Sequence, residues 1–112
     1  MTDRNRLSNR RAAETFELKL NGTVFVITVG CYPSGEIAEV FVSGPKAGSE
    51  LDAVARDSAV LLSIALQHGV PLDVIRHALT REGNGAPSTV IGAVVDRWCA
   101  LMDRDVVTFD AS

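Results

Sequence analysis

The dipeptide Asn21-Gly22 constrains the fold of this chain most strongly, because it separates two runs with the character of β-strands. Residues 15–20 alternate polar and apolar side chains, and residues 23–29 are almost wholly β-branched or aromatic. A two-residue Asn-Gly turn favours a type I′ hairpin, since both positions need a positive φ. The hairpin register then predicts a shared core face made of Phe16, Leu18, Leu20, Phe25, Ile27 and Val29.

A third strand is predicted at residues 36–43, after the turn Pro33-Ser34-Gly35, and completes an antiparallel meander. Because side chains alternate between the faces of a strand, the second and third strands also carry apolar residues opposite the core. These residues are Val24, Val26, Ile37 and Phe41. Helices can cover only one side of such a sheet. We therefore predict that this second face is an interface, covered by the N-terminal arm, the C-terminal tail, a second copy of the chain or another partner.

The spacing of the apolar residues becomes helical after residues 44–48. Ser49 and Asp52 offer N-cap oxygens for a first helix, whose predicted inward stripe is Leu51, Val54, Ala55, Ser58, Leu61, Leu62 and Ala65. Pro71 suits the first turn of a second helix, and Ser88 is predicted to cap a third. The fold class is therefore α+β, a three-stranded antiparallel β-meander followed by three helices packed on one face (βββααα).

Charge is unevenly distributed along the chain. Residues 1–13 contain four arginines and one aspartate, a local charge of +3, so a net charge of −3 leaves −6 on the rest. We predict a basic irregular arm at 1–13, a single α+β domain at 14–104 and a C-terminal tail at 105–112. The arm is either solvated or docks on an acidic surface of its own fold or of a partner. Nucleic acid is not expected as a partner, because the acidic body would repel phosphates.

Membrane association and secretion are not expected from the sequence. No apolar run approaches the ~20 residues of a membrane span, and no apolar stretch follows the charged N-terminus. The two cysteines, Cys31 and Cys99, do not make a disulfide framework. Free thiols and a cytoplasmic location are therefore expected.

The sequence contains no recognisable catalytic constellation, and we predict no catalytic residue, no metal and no cofactor. His68, His77, Cys31 and Cys99 are the only soft metal ligands, and none belongs to the closely spaced ligand pairs typical of zinc sites. Cys99 lies on the apolar side of the third helix, where a thiol is ordinarily a small buried hydrophobe. Cys31 has no basic neighbour in sequence to lower its pKa.

The segment Lys46-Ala47-Gly48-Ser49 joins the third strand to the first helix and suggests an anion site. Free N–H groups at a helix N-terminus attract anions, and a nearby lysine adds a full charge. We therefore predict that Lys46, Gly48 and Ser49 bind phosphate or a nucleotide weakly. The alternative is a tight turn in which the lysine is solvated. In that case Glu50 or Asp52 already neutralises the N-terminus of the first helix. The spacing of a Walker A loop is absent.

Five pieces in order resemble one known family. They are Leu7-Ser8-Asn9-Arg10-Arg11 with Thr15, Gly22 at the second strand, Gly35 with Glu39-Val40-Phe41, Lys46-Ala47-Gly48-Ser49, and Ser63 with Leu66-Gln67-His68-Gly69-Val70-Pro71-Leu72. Together they resemble the TSCPD-type C-terminal domain of adenosylcobalamin-dependent ribonucleotide reductases. The likeness runs from about residue 7 to residue 80. Ser8 and His68 depart from the family pattern, and Ala86-Pro87-Ser88-Thr89-Val90 stands where the name-giving Thr-Ser-Cys-Pro-Asp string is expected.

The resemblance implies a detached accessory domain, since the family's radical barrel, cobalamin site and catalytic cysteines lie outside this region. We expect it to act by protein binding, to its own copy as a dimer or to a ribonucleotide reductase chain. One alternative is a nucleotide- or phosphate-responsive regulatory domain that uses the Lys46 segment. Another is a reductase subunit contributing in trans, with Cys31 or Cys99 in thiol exchange. Whether the chain is an enzyme stays open; if it is, a ribonucleoside-diphosphate-reductase-like activity is implied.

Overall fold

The computed structural model describes the backbone of residues 12–44, 46 and 48–111, and the side chains of residues 13–44, 46 and 48–101. Three strands come first, followed by three helices: β1 (Ala12–Leu20), β2 (Thr23–Cys31), β3 (Ile37–Ser43), α1 (Glu50–Gln67), α2 (Leu72–Ala78) and α3 (Val90–Ala111). The predicted α+β order of three antiparallel strands and three helices is confirmed. Apart from Ala12 and Ala13, which begin β1, the predicted basic arm lies outside the described residues.

The chain divides into two compact units, Met1–Pro71 and Leu72–Ser112. The first contains the sheet and α1, and the second contains α2 and α3. Helix α3 continues to Ala111, through the stretch from residue 105 onward that the sequence pattern assigns to a tail. Val106 and Val107 there favour strands by intrinsic preference, but such preferences are weak compared with the continuation of an established helix. The division into arm, domain and tail stays a prediction.

The sheet has the order β1-β2-β3, with both pairs antiparallel. The predicted hairpin is confirmed: Asn21 has a φ of 51° and Gly22 a φ of 82°, and Leu18 pairs with Phe25. Burial of the core face of the sheet is nearly complete, at Leu18, Phe25, Ile27, Val29, Val40 and Val42. From α1 the buried apolar residues are Ala55, Ala59, Leu62 and Leu66.

The second unit is organised by a buried stripe and by one arginine. The stripe lies on α3 and consists of Val90, Ile91, Val94, Val95 and Trp98. Arg81, in the loop after α2, donates to both carboxylate oxygens of Asp96 at 2.8 and 2.6 Å, and also to the carbonyl of Gly85 at 3.0 Å. The cap of α3 is Thr89, whose hydroxyl accepts the N–H of Gly92, rather than the predicted Ser88.

Candidate functional site

Helix α1 lies along the outer edge of β3 and supplies hydrogen-bond partners to its backbone. The hydroxyl of Ser63 accepts the N–H of Val40 at 2.9 Å, and the side-chain amide of Gln67 donates to the carbonyl of Ala38 at 3.1 Å. Buried backbone groups need such partners, so α1 closes an edge that would otherwise be open.

The lengths of the two elements match along this edge. From Asp52 to Gln67 the helix rises ~22 Å at 1.5 Å per residue, and from Ala38 to Gly44 the strand rises ~20 Å at 3.3 Å per residue. The polar residues that face β3 can therefore stay in register with it over its full length.

Asp52 stabilises the connection between β3 and α1 through hydrogen bonds to its backbone. Its carboxylate accepts the N–H of Gly44 at 3.2 Å and the N–H of Gly48 at 3.4 Å, and it pairs with the Nε of Arg56 at 3.0 Å. The hydrogen bond from the Gly44 N–H contributes most to lowering the pKa of Asp52. Arg56 and the Gly48 N–H lower the pKa further, whereas desolvation by burial raises it, and the net shift is downward. Asp52 therefore stays ionised although its side chain is only 7% exposed.

A groove of about 480 Å³ opens between α1 and the face of the sheet opposite the core. We call this face the outer face. Val26, Thr28 and Phe41 line the sheet side of the groove, and Val60 and Ile64 line the helix side. Charged residues line the groove on either side of this apolar part: Arg56 lies near Ser43, to which it donates at 3.4 Å, and Glu39 lies four residues before Ser43 on β3. The groove is thus apolar in the middle, with a cation on one side of that part and a carboxylate on the other.

The predicted interface residues are placed in two different environments. Val24, Val26 and Phe41 are exposed by 40, 41 and 53% on the outer face. Ile37 is only 6% exposed, because the β2–β3 register shifts after Gly30 and places one extra residue, Ala38, in β3. A bulge of this kind breaks the alternation of faces, and Ile37 and Ala38 are both buried.

Two groove residues were not predicted from the sequence. Val60 and Ile64 are exposed by 54 and 38%, and they stand one helical turn apart on α1. Both are apolar residues outside the predicted inward stripe of α1. That signal was present in the sequence, since apolar residues at i and i+4 share one side of a helix.

The predicted anion residues lie together at the start of α1, but their donors are engaged within the chain. The N–H of Gly48 donates to Asp52, and the hydroxyl of Ser49 accepts the Asp52 N–H and donates to the carbonyl of Lys46. Ser49 therefore acts as the N-cap of α1. Lys46 is exposed. Anion binding stays a prediction, with the Asp52 carboxylate as the competitor.

The histidines and cysteines are dispersed. His68 ends α1, and His77 is exposed with its Nδ1 2.8 Å from the carbonyl oxygen of Asp73. Within the described part of the chain, no three His, Cys, Asp or Glu residues converge as a metal site requires. Burial, helped by the charge of Glu14, raises the pKa of the Cys31 thiol, which disfavours the reactive thiolate. None of the described helices combines the length and apolar character needed to cross a membrane.

A three-stranded meander with a helix along one edge and an apolar groove beside that helix defines a small α+β domain. The chain belongs to the TSCPD domain family, whose model matches residues 5–98. The resemblance predicted from the sequence is therefore confirmed. No solved structure matches the chain.

Named relatives are far longer than this chain. A vitamin B12-dependent ribonucleotide reductase of Rhodopirellula baltica is 38% identical over 72 residues, which are 64% of this chain and 7% of that protein. The enzyme of the same name from Bradyrhizobium diazoefficiens is 31% identical over 80 residues, 71% of this chain and 6% of that protein. A third, from Agrobacterium fabrum, is 32% identical over 78 residues, 70% of this chain and 6% of that protein. The chain is thus a domain related to one segment of these reductases.

Proposed function

We propose that this chain is an accessory domain that binds a protein through the groove on its outer face and is not catalytic alone. The observation that carries the proposal is the exposure of Val24, Val26 and Phe41 on the sheet beside Val60 and Ile64 of α1. Contiguous exposed apolar side chains with charged residues at the rim are typical of protein-binding surfaces.

The partner we propose is a ribonucleotide reductase chain. The relatives carry the matching segment within a protein many times longer, so the segment functions there beside a reductase body. The charged residues of the groove suit a polypeptide, because Arg56 and Glu39 can hold opposite charges along one segment. A reducing, cytoplasmic setting, in which thiols stay reduced, is part of the proposal.

Binding of the chain to a purified vitamin B12-dependent ribonucleotide reductase, measured by calorimetry, tests the proposal. Val26→Asp and Phe41→Ser are each expected to weaken binding by about tenfold or more, as loss of a central apolar contact does. Val54→Asp is the matched control, since Val54 is exposed by 57% and does not line the groove. It should bind as the wild type does.

Two results would overturn the proposal. If the wild-type chain does not bind the reductase, the partner is wrong. If the wild type binds and the two groove variants, shown to be folded by circular dichroism, bind equally well, then the outer face is not the binding surface.

A further inference from the structure

The two edges of the sheet are treated differently. The outer edge of β3 is covered by α1, as described above. The opposite edge is formed by β1, whose only neighbour among the described strands is β2. Among the described residues, no backbone hydrogen bond links the outward side of β1 to another segment of the chain.

The hairpin register identifies which backbone groups face this open edge. In a two-residue hairpin the closing pair, here Leu20 and Thr23, exchanges both hydrogen bonds, and along the strand bonded and non-bonded pairs alternate. Thr15 therefore belongs to a non-bonded pair with Thr28, consistent with the 3.0 Å between their hydroxyl oxygens. The outward N–H and C=O groups are those of Ala13, Thr15, Glu17 and Lys19, and all four of these residues are exposed.

β1 has few of the features by which edge strands avoid pairing with a strand of another molecule. All nine residues pair with β2 without a register shift, and the strand contains no proline. Its side chains alternate cleanly, and its one lysine, Lys19, has the oppositely charged Glu17 two residues away. A long, regular edge strand of this kind is a template for another strand.

We propose that β1 pairs antiparallel with β1 of a second copy, so that two sheets form one six-stranded sheet. Charge complementarity favours a register centred on Leu18 over the two centred on its neighbours. With Leu18 on the two-fold axis, Glu17 of each copy lies opposite Lys19 of the other, which makes two ion pairs and about four backbone hydrogen bonds. Centring the pairing on Glu17 or on Lys19 instead places like charges directly opposite.

The same register continues the core face across the junction. It brings Phe16 of one copy opposite Leu20 of the other, on the side of the sheet where Leu18 is already buried. Phe16 and Leu20 are both half-buried in the single chain, and pairing removes more of their apolar surface from water. The pairing uses neither the groove nor α1, so it is independent of the proposed function.

Sedimentation equilibrium of the full chain over a range of concentrations tests the proposal through charge reversal. Glu17→Lys and Lys19→Glu each turn two attractive pairs into repulsive ones, which is expected to weaken self-association roughly tenfold to thirtyfold. The double variant Glu17→Lys/Lys19→Glu exchanges the charges and should regain wild-type association. The two single variants, each mainly monomeric alone, should associate with one another when mixed.

Phe41→Ser separates this proposal from the proposed function, because it alters the groove and should leave self-association unchanged. A wild-type chain that stays monomeric at all concentrations overturns the β1 pairing. So do single variants that associate as tightly as the wild type, or a mixture of the two that shows no gain over either alone.

Discussion

The hydroxyl of Ser63 in α1 accepts the N–H of Val40 in β3 at 2.9 Å and lies 2.8 Å from the carbonyl oxygen of Ala59, to which it donates. One side chain thus joins the backbone of a strand to the backbone of a helix. Val40 therefore keeps a hydrogen-bond partner at an edge where none of the described strands follows β3.

Ser63→Ala is expected to destabilise the protein by about 1–2 kcal/mol, because it leaves the partly buried Val40 N–H without a partner. Ser58→Ala is the control, since the Ser58 hydroxyl donates to the carbonyl of Val54 within the same exposed helix surface. It should change the free energy of unfolding little. Urea unfolding followed by circular dichroism measures both, and equal losses in the two variants would contradict the bridging role of Ser63.

The lowered pKa of Asp52 leads to a prediction of how the free energy of unfolding depends on pH. Its hydrogen bonds from Gly44 and its pairing with Arg56 lower its pKa in the folded chain below the usual 3.8. The stabilisation is therefore fully present at neutral pH, begins to be lost as the pH falls through 3.8, and is gone below the folded-state pKa. Asp52→Asn should lower the melting temperature at pH 7, with the difference from wild type shrinking as the pH falls below about 4.

Asp57→Asn is the control for that experiment, because Asp57 is exposed on the same helix. Its melting curve should follow that of the wild type across the pH range. A constant difference between Asp52→Asn and wild type from pH 7 to pH 2 would show that the charge of Asp52 is not what stabilises the connection between β3 and α1.

The Lys46 segment should respond to phosphate more strongly when Asp52 is neutral. The Asp52 carboxylate occupies the Gly44 and Gly48 N–H groups and repels an anion at the same place. In an NMR titration we expect larger phosphate-dependent shifts at residues 44–50 in Asp52→Asn than in the wild type. Adding Lys46→Ala should reduce those shifts. If residues 44–50 do not shift with phosphate in any of the three proteins, the segment is a turn and nothing more.

Arg81 is expected to hold the loop between α2 and α3 through its two bonds to Asp96 and one to Gly85. A lysine ammonium cannot reproduce the paired geometry of a guanidinium. Arg81→Lys should therefore raise the hydrogen-exchange rates of the Gly85 and Ser88 amides by roughly tenfold, as local opening becomes easier. The amides of β2 serve as the internal reference and should not change. Unaltered exchange at both loop amides would contradict the role of Arg81.

The hairpin was predictable because its information is local: Asn21-Gly22 sets the turn, and the alternation on either side sets the register. The bulge that buries Ile37 was not, since nothing in residues 36–43 marks where β3 gains a residue against β2. The register of a strand pair depends on both partners and on what covers them.

The face of α1 that packs against the sheet was only partly predictable. Periodicity identifies apolar stripes, and α1 has more than one of them. Leu51, Val54 and Leu61 belong to the predicted inward stripe but are exposed. Ala55, which also belongs to the stripe, is buried as predicted, and Ala59, which lies outside the stripe, is buried as well. Small residues let the helix approach the strand edge closely enough for Ser63 and Gln67 to reach the backbone. That geometric requirement outweighs the greater apolar surface of the larger side chains.

The groove lies beside β3, and the open edge is β1, so the two are at opposite edges of the same three-stranded sheet. In a six-stranded sheet joined at β1, the two copies of β3 would be five strand spacings apart, ~24 Å, with both grooves on the same side. Such an assembly is bivalent. A partner that presents two matching segments at that separation would bind with an avidity above that of either groove alone, because the second contact forms at a high effective concentration.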